Sequence, residues 1–483
     1  MTKNFYTAPT HTAISLALLI YLFPIAGLTA EQTLPDIGSA DTSLITQANE
    51  RKVAEQVMRN LRQADLILDD AELTEYIQNL GHRLSAYSDW NGGEFNFFII
   101  KDMQVNAFAL PAGYIGVHAG LFLTTQNEDE LAAVLAHEIA HVSQRHYSRG
   151  YDFSKQQNII LAAALIAAIA VGGEDSTASS ALLLGGMAGT MQSSLAFSRG
   201  NEKEADWLGI ELLAKSGFDP EAMPRFFERM QQATRYNEGD VPEFLRTHPV
   251  TLNRISDAEN RASQMKVKHA KPSSEYTLMW HKLATLAGDK TNLQFQPPSA
   301  QPGSNEYAQA LKLADAGKYP QALAAIEQAM HDSPNQPLIK TAAAEIYRLL
   351  QKPDRAIAIY KDLYALYPSQ SSITLGYARL LIQNNQAEKA KQILRQALDN
   401  TSIHVPQLYQ LLADAEMKLG NTALSHRYMS DYYFDTGNPY AAARQIEIAL
   451  EQKDLSFYEK EELQSRLAKL QEHLQILAKL PSP

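Results

Sequence analysis

His137, Glu138 and His141 are the residues of this sequence whose types and spacing best suit chemistry. Side chains four residues apart project from the same face of a helix, so the two imidazoles can share one metal ion. Glu138 lies about 100° round the helix from His137, where its carboxylate can take a proton from a metal-bound water. A His-Glu-x-x-His pattern on a helix is typical of a zinc protease and predicts that Glu138 is the general base.

Segment 127–150 must be helical for this geometry to hold, and its pattern predicts a helix. Asn127 with Glu130 three residues later indicates a capped N-terminus, and Gly150 is a candidate C-terminus. Apolar residues at helical spacing predict a buried face: Leu131, Val134, Leu135, Ile139 and Val142. His146 lies about 140° from His141 on such a helix, so we expect it at the surface or beside a ligand rather than on the metal.

A catalytic zinc needs a third protein ligand and an open fourth position. A second helix is predicted from about Glu202 to Gly217, with Glu202 and Asp206 on one face and Glu204 on the opposite side. Glu202 is a candidate third ligand, and Asp206 can accept the N–H of a ligand histidine and so fix its ring. An acidic, solvated first helical turn has the same pattern, and spacing alone leaves the two interpretations equally supported.

The composition limits the other kinds of site. With 43 Lys and Arg against 54 Asp and Glu, the net charge is −11, and no basic run offers a footprint for nucleic acid. The chain contains no cysteine, which excludes disulfides, thiolate–zinc sites and cysteine nucleophiles. Any metal must therefore be held by His, Asp and Glu, and zinc suits these ligand types. A length of 483 residues indicates two or three domains.

Residues 1–30 are predicted to be a secretory signal peptide. Lys3 precedes an apolar run that is broken by Pro24 and Gly27, and the small residue Ala30 is followed by a polar stretch. An uncleaved anchor is the alternative, because about 18 apolar residues can just span a bilayer. The apolar stretches within 159–196 are too short or too interrupted to span. We expect a soluble exported chain and leave peripheral membrane contact by these stretches open.

A period of 34 residues after residue 305 predicts tetratricopeptide repeats. Two columns of alanine recur at this step: Ala310, Ala344 and Ala378, and Ala322, Ala356 and Ala390. The Pro-, Gln- and Ser-rich residues 294–304 indicate a linker, and a helix over about 456–477 is expected to cap the stack. The concave face of stacked helix pairs binds other proteins, so the array predicts a docking module.

The sequences HEIAH at 137–141 and SRGNEKEAD at 198–206 together resemble a family of gluzincin peptidases. That family includes the CAAX-prenyl protease, the bacterial heat-shock membrane protease and mitochondrial Oma-type proteases. The resemblance implies that His137, His141 and Glu202 bind zinc, with Glu138 as general base and Asp206 as a supporting partner. Segment 106–117 resembles the strand and turn before the zinc helix, and implies an exposed edge strand that can pair with an extended substrate.

A signal peptide joined to this catalytic part and a repeat array most resembles the periplasmic β-barrel assembly-enhancing proteases. The resemblance implies a periplasmic endopeptidase for assembly and quality control of outer-membrane β-barrel proteins. Unfolded or misassembled barrel proteins, or the β-barrel assembly machinery, would dock on the repeats. The alternative function is a chaperone-like adaptor whose protease site is latent or rarely used.

Segment 245–249, LRTHP, also resembles this subfamily. It places His248 where the imidazole can occupy the open zinc position and keep the enzyme latent, with an ordinary loop histidine as the equally weighted alternative. The predicted fold is mainly α. It has a zincin-like metallopeptidase domain with a small β-sheet over residues 31–270, a linker over 271–304, and an α-solenoid of tetratricopeptide repeats over 305–483.

Overall fold

The computed structural model of the chain describes residues 40–146, 198–236, 242–265, 273–288, 296–400, 405–452 and 455–478. The predicted signal peptide and the apolar stretches within 159–196 lie outside the described residues. Among the helices in the described ranges, none is both long and apolar enough to cross a membrane.

The described residues form a mainly helical fold with one small sheet, which confirms the predicted fold class. The first helices and strands are α1 (Ala40–Gln63), α2 (Ala71–Ser85), β1 (Asn96–Ile100), β2 (Ala107–Ala109) and β3 (Tyr114–His118). Strand β3 is central, with β1 parallel to it on one side and β2 antiparallel to it on the other.

Strand β2 is at an edge of this sheet, but it is not exposed. All of Ala107–Ala109 is buried. The chain segment that leads to His248 packs beside the start of the strand, where the Phe244 N–H donates to the Val105 carbonyl at 3.0 Å. The expectation of an exposed edge strand is therefore wrong, because every residue of β2 is buried.

Six further helices of the catalytic part lie within the described residues. They are α3 (Ala119–Thr124), α4 (Glu128–Ser143), α5 (Arg199–Lys215), α6 (Ala222–Tyr236), α7 (Glu243–Thr247) and α8 (Leu252–Ser263). Helix α4 begins with the predicted N-cap, since Asn127 accepts from the Glu130 N–H, and the Glu130 side chain accepts from the N–H of Gln126, one residue before the N-cap. Residues 130–142 are all buried, so the helix is enclosed on every side rather than on one face.

Helix α4 ends at Ser143, seven residues before the predicted terminus at Gly150, which lies outside the described residues. Arg145 has a φ of +52°, in the left-handed region, and this turns the chain out of the helix. Residues after Ser143 therefore do not continue the helical positions of α4.

Helix α5 packs closely against α4 at Gly209. A Cβ atom at Gly209 would be 3.2 Å from the His137 backbone nitrogen and 2.9 Å from the Met223 Cε. The absence of a side chain at Gly209 therefore allows α5 to approach the helix that carries the histidines. This contact sets the position of Glu202 relative to His137.

The predicted linker 271–304 contains a helix, α9 (Ser274–Ala287). The Tyr276 hydroxyl donates to the Thr125 carbonyl at 2.6 Å, and the Trp280 Nε1–H donates to the Leu123 carbonyl at 3.0 Å. Both aromatic side chains are buried, so α9 packs on the catalytic part. The boundaries 31–270, 271–304 and 305–483 stay predictions.

Paired helices follow, as the 34-residue period predicts. They are α10 (Ser304–Asp315), α11 (Tyr319–Asp332), α12 (Pro337–Leu349), α13 (Pro353–Leu366), α14 (Ser371–Gln383), α15 (Ala387–Asn400), α16 (Pro406–Lys418), α17 (Thr422–Asp435), α18 (Pro439–Leu450) and α19 (Phe457–Ala478). All six alanines of the two predicted columns are fully buried. Small residues at these places let neighbouring helices pack closely.

Helix α2 of the catalytic part is bonded to the repeats by its acidic side chains. Glu75 accepts hydrogen bonds from the backbone N–H groups of Ser371 and Ser372, each at 3.1 Å. These two residues begin α14, so Glu75 serves as a helix cap from outside that helix. Glu72 accepts from the Thr341 hydroxyl on α12 and from Lys282 on α9, each at 2.5 Å.

Candidate metal centre

Four buried side chains from three chain segments meet at one point. His137 and His141 come from α4, Glu202 comes from α5, and His248 directly follows α7. One ligand-type atom of each lies within 4.8 Å of the others, and each residue is at most 2% exposed. The structure thus brings together all four residues that the sequence marks as candidate metal ligands.

The donor atoms are spaced as they would be around one small ion. The Nε2 atoms of His137 and His141 are 3.0 Å apart. His248 Nδ1 lies 3.3 Å from His137 Nε2 and 3.0 Å from Glu202 Oε1. Bonds of about 2.0–2.1 Å in a tetrahedron separate the donors by roughly 3.3 Å. The residues present therefore fit a tetrahedral ion held by three nitrogens and one oxygen.

The surroundings of two of these side chains favour the protonation states that bind a cation. Burial works against the charge of Glu202, but His248 and His137 outweigh it and hold the pKa of this carboxyl well below its usual value. Burial and the neighbouring His137 lower the pKa of His141 well below its ordinary value. Glu202 is thus a carboxylate and His141 a neutral imidazole, which are the forms that bind metals.

His137 differs from His141 in its partners. Burial lowers its pKa, but hydrogen bonding to Asp206 and Glu202 prevails and raises the pKa to about 9. Its Nδ1 lies 3.1 Å from Asp206 Oδ1, while its Nε2 faces the other donors. Asp206 therefore lies beside the far nitrogen of a candidate ligand histidine, and its supporting role stays a prediction.

Arg254 on α8 connects these carboxylates, although no motif of the sequence marks it. Its Nε and Nη2 donate to the two oxygens of Asp206 at 2.7 Å, and its Nη1 lies 2.8 Å from Glu202 Oε2. Nη1 also donates to the carbonyl of Pro249, the residue after His248, at 2.8 Å. A signal was present, because Arg254 lies on the buried face of an amphipathic helix with Ile255 and Ala258.

Glu138 is fully buried on α4, beside the ligand face. Its Oε1 lies 3.5 Å from His248 Nε2. Burial raises the pKa of Glu138 more than the neighbouring His248 and His137 lower it. A raised pKa makes its carboxylate a stronger base, and its place next to the donor group suits proton transfer with a water there.

The His248 ring faces the site with both of its nitrogens. Nδ1 is directed at Glu202 and His137, and Nε2 is directed at Glu138. The backbone N–H of His248 donates to the Phe244 carbonyl at 2.8 Å, and the centroids of the His248 and Phe244 rings lie 5.0 Å apart. His248 is therefore buried next to the other three candidate ligands. An inhibitory role for His248 stays a prediction.

His146 is also buried, so the surface alternative for this residue is wrong. It is 2% exposed, and its Nδ1 lies 2.9 Å from His141 Nδ1. An ideal helix continued from His141 would not place it there. The left-handed turn at Arg145 is the reason for the difference.

Comparisons with known proteins agree with this geometry. The family model "Peptidase family M48" matches residues 71–262, and a tetratricopeptide repeat model matches residues 347–415. The beta-barrel assembly-enhancing protease of Escherichia coli K12 is 31% identical over 397 residues, which cover 80% of this chain and 81% of that protein. A Yersinia pestis protein of the same name is 32% identical over 376 residues, covering 76% and 77%.

A mitochondrial relative matches a smaller share of the chain. The mitochondrial metalloendopeptidase OMA1 of Schizosaccharomyces pombe is 34% identical over 197 residues, which cover 40% of this chain and 55% of that protein. The family match spans the helices that carry His137, His141 and Glu202. The chain therefore belongs to peptidase family M48 and is a metallopeptidase with a tetratricopeptide repeat array.

Proposed function

We propose that this chain is a zinc-dependent endopeptidase of the periplasm that acts in assembly and quality control of outer-membrane β-barrel proteins. The observation that carries the proposal is the buried donor group of His137, His141, Glu202 and His248 with Glu138 beside it. The names of the similar Escherichia coli and Yersinia pestis proteins support the biological setting.

His137, His141 and Glu202 would hold the zinc ion. When bound, zinc supplies Lewis-acid chemistry, because it polarises a carbonyl and lowers the pKa of a water. Glu138 accepts a proton from the attacking water on its carboxylate and passes it to the leaving amine. Asp206 accepts from the far nitrogen of His137, which keeps that ring oriented.

His248 supports a latent state of the same enzyme. Its Nδ1 stands at the fourth corner of the donor group, where a water or a substrate carbonyl would bind. Substrate entry would therefore require the segment after α7 to move away. The same observation favours the second candidate function, a chaperone-like adaptor whose protease site is rarely used.

The repeats supply the docking surface in this proposal. Tetratricopeptide arrays bind proteins on their concave face, and unfolded barrel proteins or the assembly machinery would bind there. The predicted signal peptide at 1–30 supports export of the mature chain to the periplasm in this proposal. Fractionation of cells that express the full chain checks this: recovery in the cytoplasm would contradict the assignment.

The decisive experiment compares cleavage of a denatured outer-membrane β-barrel protein by the chain and by its Glu138→Gln variant. Glu128→Gln is the matched control, because it makes the same change on the same helix, about 15 Å along its axis. We expect fragments from the unchanged chain and from Glu128→Gln but none from Glu138→Gln, with zinc bound in all three.

Other outcomes separate the two candidate functions. Equal cleavage by Glu138→Gln would refute its role as the base. If the unchanged chain does not cut, His248→Ala is tested on the same substrate. If His248→Ala binds zinc and the barrel protein but still does not cut it, the endopeptidase proposal is refuted in favour of the chaperone-like adaptor.

A further inference from the structure

His146 connects a candidate metal ligand to a carboxylate on another helix. Its Nδ1 lies 2.9 Å from Nδ1 of His141, and its Nε2 lies 3.1 Å from Oε2 of Glu204 on α5. The rings of His141 and His146 are nearly perpendicular, at 79°, with centroids 4.8 Å apart. His146 is 2% exposed, whereas the Glu204 side chain is 38% exposed. A buried imidazole thus bridges His141 and a solvent-accessible carboxylate.

If Nε2 of His141 binds an ion, the proton positions on His141 and His146 follow. Nε2 of His141 faces the other donors, 3.0 Å from His137 Nε2 and 3.5 Å from Glu202 Oε1. When Nε2 binds an ion, the neutral ring carries its proton on Nδ1 and must donate from there. His146 can accept only with an unprotonated Nδ1, so its own proton is on Nε2, which donates to Glu204. Each group in the series then has the partner that it requires.

The backbone before His146 is held in an uncommon conformation. Arg145 has a φ of +52°, which is rare for a residue with a side chain. Its N–H donates to the Val142 carbonyl at 2.9 Å, and its guanidinium binds the buried Glu50 of α1 at 2.5 Å. This turn is what brings His146 back to His141, since the next residues of a continued helix would face elsewhere. The backbone turn at Arg145 and the hydrogen bonds of His146 to His141 and Glu204 thus both favour the same position of the His146 ring.

We propose that His146 is a positioning residue of the metal centre. It accepts the Nδ1–H of His141, is oriented in turn by Glu204, and so fixes the tautomer and ring angle of this ligand. Asp206 plays the same part for His137, because its carboxylate lies 3.1 Å from Nδ1 of that ring. Each of the two ligand histidines therefore has a side chain that orients it. The inference rests on the metal centre proposed above, and its test does not depend on peptidase activity.

The test measures zinc affinity of the full chain by competition with a chelator. We expect His146→Phe, which cannot accept a hydrogen bond, to weaken zinc binding by about 10–100-fold. His146→Asn keeps an acceptor near the position of Nδ1 and should restore most of that affinity. His118→Phe is the matched control, because His118 is also fully buried but lies at the end of β3, outside the donor group. It should leave zinc affinity unchanged.

A spectroscopic measurement reports on the proton directly. In zinc-loaded chain with ¹⁵N-labelled histidine, the Nδ1–H of His141 should give a slowly exchanging signal. The signal should persist in His146→Asn and exchange rapidly in His146→Phe. A purely structural role for His146 would change stability in both variants without this difference in the His141 signal.

The outcomes that overturn the inference are distinct from failure of the proposed function. Unchanged zinc affinity in His146→Phe, or an equal loss in His118→Phe, would refute the positioning role. If His146→Phe does not fold, Glu204→Ala and Glu204→Gln decide: Ala should weaken zinc binding, and Gln should weaken it less because it can still accept. Unchanged affinity in Glu204→Ala would then refute the role. Failure of the unchanged chain to bind zinc would refute the proposed function itself.

Discussion

Replacement of Arg254 by methionine tests how the carboxylates of the site are stabilised. Methionine keeps an unbranched apolar stem but removes the guanidinium, which binds both oxygens of Asp206, one oxygen of Glu202 and the Pro249 carbonyl. Arg254, Asp206 and Glu202 are 8%, 5% and 2% exposed, so water cannot replace the lost donors without opening the site. We expect a large loss of stability.

The size of the loss follows from which carboxylate is left without a donor. Removing one partner from a buried ion pair costs about 3–5 kcal/mol. Glu202 keeps His248 and His137 nearby, whereas Asp206 keeps only the His137 contact among those described above. We therefore expect about 3 kcal/mol for Arg254→Met in the metal-free chain, at the lower end of that range. In an Asp206→Asn background the cost should fall by about 2 kcal/mol, as expected for a directly coupled pair.

The assay is urea unfolding of the chelator-treated chain at neutral pH, followed by tryptophan fluorescence. The three tryptophans are Trp90, Trp207 and Trp280, all before the repeats, so the signal reports on the catalytic part. Lys203→Met is the matched control. Lys203 on α5 pairs with Asp257 on α8 at 2.7 Å, which joins the same two helices through exposed side chains. Its removal should cost less than about 1 kcal/mol.

Two results would refute this reasoning. One is a loss for Arg254→Met no larger than that for Lys203→Met. The other is an equal loss with Asp206 and with Asn at position 206, because the uncompensated carboxylate would then not be the cause.

Three further predictions concern catalysis, pH and helix packing. His248→Ala should raise the cleavage rate of a denatured barrel protein, and an unchanged rate with unchanged zinc affinity would remove its blocking role. Burial and Lys312 lower the pKa of His281 to about 4, so the folded chain takes up this proton less readily than the unfolded chain and loses stability as pH falls from 6.5 towards 4. Allowing for partial exposure, His281→Gln should reduce the stability lost between pH 7 and pH 5 by about 1 kcal/mol, measured by urea unfolding, and an unchanged loss would refute the prediction. Gly209→Val should force α5 away from the His137 backbone and weaken zinc binding, measured by chelator competition. Gly200→Val should not, because a Cβ atom there would meet only the Ser198 hydroxyl oxygen, at 3.7 Å, among the described residues.

The parts of the site that depend on local spacing could be predicted from the sequence. The position of His137 and His141 on one helical face is a property of residues four apart, and the family resemblance supplied Glu202. The approach of the two helices is not local, since it depends on Gly209 lying against the backbone of His137. The repeats were predictable because every repeat needs small residues at the same two places.

The parts that depend on uncommon backbone or on distant packing could not be predicted. Helical extrapolation puts His146 on the wrong side, because no residue type in the sequence signals the left-handed turn at Arg145. The role of Arg254 requires α8 to pack against α5, which its own periodicity does not indicate. The hydrogen bond from Phe244 to Val105, just before β2, likewise joins residues that are far apart in the chain.

The cap that Glu75 provides for α14 has a consequence for fragments of this chain. A fragment that begins near residue 305 would contain the repeats but would lose the carboxylate that accepts from Ser371 and Ser372. Loss of a helix cap costs about 0.5–2 kcal/mol, so we expect the start of α14 to be less stable in the isolated array. A piece that keeps this cap must therefore combine the repeats with residues 71–85 of α2, which lie far before them in the sequence.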